Sequence, residues 1–221
     1  MCGIVGFAAS GQLQAERLPL AMAALQHRGP DGQGESIEGQ VALGHTRLSI
    51  IDLEGGAQPL RSPCGRYVLI ANGEIYNHVE LRQELSALGA QFLTGSDCEV
   101  ILQGYAFWGR NVLNRIEGMY AFALQDIQQG EVLLARDPLG MKPLYWAQSA
   151  DGVGFASELK ALLALLPSTP DLNPLALRQY IEAQHPLSHN TPFAGIKRVL
   201  AGEAVLIRHG RAIEQWRHWR V

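Results

Sequence analysis

The sequence predicts an α+β fold, a four-layer αββα sandwich in which two antiparallel sheets pack face to face and helices cover their outer faces. Three observations lead there. Short apolar runs recur between Gly, Asp and Asn punctuation, and many are apolar on successive residues, as in Val68-Leu69-Ile70-Ala71 and Tyr120-Ala121-Phe122-Ala123-Leu124. Continuous runs of that length are the pattern of strands buried on both faces. Segments with apolar residues near i, i+3, i+4 spacing are interspersed with them and can supply the cover such sheets need. Tight links such as Gln128-Gln129-Gly130 favour antiparallel pairing.

Taken in order, residues 4–9 are a glycine-interrupted apolar run and read as the first strand. Residues 16–25 carry helical spacing. Residues 41–45 and 48–52 read as two strands, and 67–71 as a third that is buried on both faces. Residues 79–88 and 99–107 are amphipathic, the second preceded by Ser96 and Asp97, both good helix caps. Strands at 119–125 and 131–135 flank the Gln-Gln-Gly link, and 144–148 is a further apolar run. Helices follow at 158–165 and 174–183, the latter opened by Asn173-Pro174, a cap followed by proline at the first helical position. After a turn at Gly195-Ile196-Lys197, residues 204–208 and 212–216 read as two last strands. Residues 166–173, with two prolines, are the best candidate for a junction. There is no internal repeat or low-complexity tract, and residues 1–221 read as one domain.

A chain of 221 residues with 47% hydrophobic and 18% charged residues is long enough to bury a core without disulfides or structural metal. Its net charge of −3 offers no footprint for nucleic acid or an anionic membrane, which points to a small-molecule substrate. Cys2, Cys64 and Cys98 are odd in number and lack CxxC or CxxH spacing, so neither a disulfide framework nor a metal site is indicated. A reducing cytoplasm fits this pattern. No segment reads as a signal peptide or a membrane span.

The chemistry begins at Cys2. Removal of Met1 would put a thiol and a free α-amine on one residue, a nucleophile with an ordinary pKa of about 8.5 beside a base of about 7.7 to 8.0. Cys-Gly-Ile-Val-Gly-Phe is equally a good buried strand, so the polar residues downstream carry the distinction. Arg47 stands in a strand-like run where an inward guanidinium needs a partner, most naturally a carboxylate; an outward arginine at a strand edge is the other reading. Asn72-Gly73-Glu74 follows an apolar strand. Asn-Gly is ordinarily a hairpin turn, but an amide side chain and an adjacent glycine N–H are also two donors able to hold an oxyanion. Together, a cation for an α-carboxylate, acidic groups for an α-ammonium, an oxyanion site and a thiol describe a site for glutamine.

These strings resemble a known family. Cys2-Gly3-Ile4, His27-Arg28-Gly29-Pro30-Asp31, Arg47-Leu48-Ser49-Ile50, Gln58-Pro59-Leu60, Asn72-Gly73-Glu74-Ile75-Tyr76-Asn77 and Gly95-Ser96-Asp97-Cys98-Glu99 are similar, in the same order, to the class II glutamine amidotransferase domain of asparagine synthetases. Arg136-Asp137-Pro138-Leu139-Gly140, Lys142-Pro143-Leu144-Tyr145 and Ala156-Ser157-Glu158-Leu159-Lys160 continue the match over essentially the whole chain. The resemblance implies the N-terminal nucleophile hydrolase fold. It also implies that Cys2 attacks the glutamine amide while Asn72 and the Gly73 N–H hold the oxyanion. Arg47, helped by Leu48, Ser49, Ile50 and Ile51, would bind the carboxylate, and Glu74 and Asp97 the α-amino end. His27 reads as structural, since the mechanism already has a base.

The ATP-using domain of those synthetases carries a Ser-Gly-Gly-x-Asp-Ser loop, and no such string or Walker loop occurs here. The resemblance therefore implies no cofactor and no metal in this domain, ATP and Mg being expected in a synthetase domain or subunit that acts as partner. It leaves a homodimer open. Trp216 and Trp219 are either a docking surface or ordinary packing. Two rival readings remain: a glutaminase serving another acceptor, as in sugar or peptide amidation, and a non-catalytic glutamine-binding regulatory module.

Overall fold

The computed structural model describes residues 1–52, 55–184 and 188–220. One six-stranded sheet is built from β1 (Gly3–Ala9), β2 (Gly32–Glu38), β3 (Val41–Arg47), β8 (Tyr145–Gln148), β9 (Gly152–Ala156) and β10 (Ile196–Arg198), in the order β10-β8-β9-β1-β3-β2. The second is built from β4 (Leu60–Arg61), β5 (Tyr67–Ile75), β6 (Gly118–Asp126), β7 (Glu131–Arg136), β11 (Glu203–Arg208) and β12 (Arg211–Arg217), in the order β12-β11-β7-β6-β5-β4. All ladders between these strands are antiparallel.

Alternation explains why the strands are apolar on every residue. Along β1, Ile4 and Ala8 face the second sheet, while Val5 faces the helices α1 (Leu18–Ala23) and α4 (Leu159–Leu165). Along β5, Val68 and Ile70 enter the layer between the sheets, and Tyr67, Leu69 and Ala71 face α2 (His78–Ala87) and α3 (Glu99–Trp108). Small residues such as Ala121 and Ala123 on β6 let the sheets approach, whereas Tyr120, Phe122 and Leu124 fill the wider gap under the helices. Each fully buried large side chain contributes about 1.5–3 kcal/mol relative to exposure. The predicted four layers are therefore the observed ones. Helix α5 (Pro174–Ala183), capped as predicted by the Asn173 side chain, stands apart with only Ala176 buried.

Several elements differ from the sequence reading. Residues 48–52 are a loop and not a strand: the carbonyls of Ile51 and Asp52 accept from the Arg47 guanidinium, and Asp52 adopts a positive φ of 50°. Asn72-Gly73 is not a hairpin turn, since β5 runs on to Ile75, paired throughout with β6. Residues 196–198 form a short strand after the turn at Gly195. Strands β2, β4 and β9 escaped the sequence pattern. β2 is mostly polar, with Ser36 its one buried residue, and β9 is built largely of Gly and Ala. Trp216 packs on the core beneath α3 with the Arg110 guanidinium over its ring, which is ordinary packing.

Candidate functional site

Both sheets open onto a single cavity of about 260 Å³, at the small end of ligand sites and sized for an amino acid. Cys2 enters from the start of β1, Arg47 from the end of β3, and Asn72, Gly73 and Glu74 from β5; Asp97 reaches in from just before α3. The sequence-predicted residues Cys2, Arg47, Leu48, Ile50, Ile51, Asn72, Gly73, Glu74 and Asp97 all line it. Ser49 does not: its amide donates to Asp31 Oδ2 at 2.8 Å, which ties the loop outside the wall.

The nucleophile candidate is well fixed. The Leu48 amide donates to Cys2 Sγ at 3.4 Å, and Arg28 Nε donates to the Cys2 carbonyl at 2.9 Å. Arg28 is buried and is held in turn by Glu158, 2.9 Å away, so the segment after α1 acts as a brace behind Cys2. His27 belongs to that brace and not to the cavity; its Nε2 lies 3.0 Å from Glu158. Of the other thiols, burial, and then the adjacent Asp97 carboxylate, push Cys98 well above its ordinary pKa, so it stays protonated. Cys64 is exposed and far from the cavity in the β4–β5 turn.

Asn72 is 2% exposed, and its side-chain nitrogen has no hydrogen-bond partner. A buried donor without a partner costs roughly 1–3 kcal/mol, which is recovered when a ligand accepts from it. Gly73 beside it pairs with Tyr120 in the β5–β6 ladder, and a Cβ there would meet the Met119 carbonyl and Tyr120 at 2.9 Å. Only glycine fits. Asp97 accepts from the Ile75 amide at 2.7 Å, which locks its carboxylate at the cavity wall.

The structure also adds residues that the sequence reading passed over. His45, buried in the wall, bonds through Nε2 to the Ala71 carbonyl at 3.1 Å; burial is the main reason its pKa falls to about 4, so it is a neutral imidazole. Gln58 clamps Ala71 from the other side, accepting from its amide at 2.6 Å and donating to its carbonyl at 3.1 Å. Lys142 completes the wall. The available signal was a lone charge or imidazole inside an apolar string, as in Met141-Lys142-Pro143-Leu144. No group of three or more His, Cys, Asp or Glu side chains among the described residues is arranged to hold a metal. No helix of the described residues is long and apolar enough to cross a membrane.

Residues 1–219 match a family model described as a glutamine amidotransferase domain. Asparagine synthetase [glutamine-hydrolyzing] 1 of Bacillus subtilis is 39% identical over 213 residues, which is 94% of this chain and 34% of that relative. Asparagine synthetase B [glutamine-hydrolyzing] of Escherichia coli is 47% identical over 140 residues, 63% of this chain and 25% of the relative. The chain thus spans about a third of the length of the curated relatives it matches most fully. Among solved structures, glutamine phosphoribosylpyrophosphate amidotransferase from B. subtilis superposes with a TM-score of 0.72 at 23% identity, covering 98% of this chain and 49% of that one. The layered sandwich expected from the resemblance is therefore a known fold, of N-terminal nucleophile hydrolase type.

Proposed function

The chain belongs to the glutamine amidotransferase domain family, and from that premise we propose that it hydrolyses L-glutamine at Cys2 and supplies ammonia to an ATP-dependent synthetase, for asparagine synthesis from aspartate. With Met1 removed, the α-amine of Cys2 takes the thiol proton as Sγ adds to the side-chain amide carbon. The amide π electrons move onto oxygen, where the Asn72 side-chain amide and the Gly73 N–H receive them. Collapse of this intermediate expels ammonia, with the proton returned by the same amine, and leaves a thioester. Water then adds to the thioester, releases glutamate and restores the thiol.

Arg47 holds the α-carboxylate, with backbone help from the loop it ties down, and Asp97 and Glu74 receive the α-ammonium. The domain needs no cofactor for these steps. ATP and Mg belong to the synthetase domain or subunit that consumes the ammonia, and the reaction belongs in the cytoplasm. The observation that carries this reading is the unpartnered, buried Asn72 amide in the wall that also holds Cys2.

The test is glutamate release from glutamine by the purified chain, with intact mass to verify loss of Met1. Cys2→Ala is expected to lower release by at least about 10³-fold. Release that survives the substitution overturns the assignment of Cys2. An acceptor other than aspartate would show as ammonia transfer only when a different synthetase partner is added.

A further inference from the structure

Lys142 has a side chain for which glutamine hydrolysis as written above finds no use. It is only 8% exposed, although lysine is almost never so buried without a partner. Among the described residues no hydrogen bond or ion pair reaches its ammonium; its recorded bonds are those of its backbone. Yet it stands in the wall of the cavity that holds Cys2, Asn72 and Gly73.

The loop before it is built to hold it there. Its amide donates to Asp137 Oδ2 at 3.0 Å, and its carbonyl accepts from Arg136 Nε at 2.6 Å. The Asp137 carboxylate also accepts from the amides of Tyr120, Leu139 and Met141 at 3.3, 3.1 and 2.9 Å. Arg136 closes the turn from outside by donating to the Gly140 and Val199 carbonyls. The Asp137 amide donates to the Tyr120 carbonyl at 2.8 Å, and Tyr120 is the ladder partner of Gly73. The path Lys142, Asp137, Tyr120, Gly73 thus joins the lysine's loop to the Asn72 and Gly73 end of the cavity. Arg47, in the same wall, is tied to the 51–52 carbonyls.

In the glutaminase reading, on which this inference rests, negative charge develops at that end when the amide oxygen becomes tetrahedral. We propose that Lys142 is a cationic supplement to the oxyanion site, its ammonium stabilising the charge received by Asn72 and the Gly73 N–H. The effect is differential. The neutral amide of bound glutamine gains little from the ammonium, whereas the tetrahedral oxyanion presents a full charge to it in a partly desolvated cavity.

The test uses the full chain with Met1 removed and three variants, Lys142→Met, Lys142→Gln and Lys142→Arg, each checked for cooperative thermal unfolding. The readouts are kcat and KM for glutamine, read separately, and inhibition by glutamate γ-semialdehyde, which adds to Cys2 as a tetrahedral hemithioacetal. The Met and Gln variants are expected to lose about 10- to 100-fold in kcat/KM and to weaken aldehyde inhibition by the same factor. The KM for glutamine, whose side-chain amide is neutral, should stay within about twofold, and Arg should recover most of the loss. Folded Met and Gln variants that keep their aldehyde affinity overturn the proposal, as does a loss carried by KM for glutamine with kcat unchanged. If the wild-type chain turns over only with a partner, aldehyde affinity alone decides. Absence of any aldehyde adduct on wild-type Cys2 would instead defeat the glutaminase reading itself.

Discussion

Arg47 and Arg136 each end a strand, one in each sheet, and come to different surroundings. Arg136, at the end of β7, donates to the carbonyls of Gly140, Lys142 and Val199 and so closes a turn around Asp137. Arg47, at the end of β3, donates through Nη2 to the carbonyls of Ile51 and Asp52, and lines the cavity. Both guanidiniums donate to backbone carbonyls of a loop that follows them. Cavity access separates the two residues: Arg47 lines the cavity that holds Cys2, and Arg136 does not.

Three measurements would break or sharpen that contrast. The largest effect is expected from Arg136→Met, which orphans three carbonyls and should lower unfolding stability by about 3 kcal/mol, with KM for glutamine little changed. Denaturant unfolding and steady-state kinetics on one preparation check this, and a large rise in KM without loss of stability would erase the distinction.

Next is His45, two residues before Arg47 on β3 and held at a pKa of about 4 chiefly by burial. Above pH 6.5 it is neutral folded or unfolded, so it costs nothing. Between pH 6.5 and about 4 the unfolded chain takes up a proton that the folded chain refuses, and stability falls with pH by about 3 kcal/mol in total. His45→Gln should remove that part of the slope; an unchanged slope would show that other groups cause it.

The smallest effect is expected from Arg47→Lys, which keeps the charge but loses the planar fork. It should raise KM for glutamine about 10- to 30-fold, roughly 2 kcal/mol, and leave the unfolding midpoint close to wild type. A destabilised variant with unaltered KM would make Arg47 a second Arg136.

The site was largely legible because its chemistry rests on residue types in short strings. Cys2, Arg47, Asn72, Gly73, Glu74 and Asp97 each stood out as polar or thiol groups beside apolar strands, and the cavity gathers all of them. Ser49 was included through the resemblance, as part of the 48–51 segment, and its amide donates to Asp31. His45, Gln58 and Lys142 were missed, since a lone imidazole, amide or ammonium in an apolar run gives no sign of which face it will take. Strand β2 was missed because an edge strand carries few apolar residues, and 48–52 was misread because Leu48, Ile50 and Ile51 have strand composition in a segment ruled by the Arg47 guanidinium.

By itself the sequence determined the double-faced strands, the helical cover and the candidate site residues, because alternation, helical spacing and side-chain chemistry are local properties of the chain. Only the tertiary structure decided which of two similar arginines meets the cavity, that the Asn72 side-chain nitrogen is left without a partner, and that Lys142 joins the wall of the same cavity. Those outcomes depend on ladder register and loop closure between residues far apart in sequence, where a shift of one position along β6 would turn Met119 and Tyr120 to opposite faces.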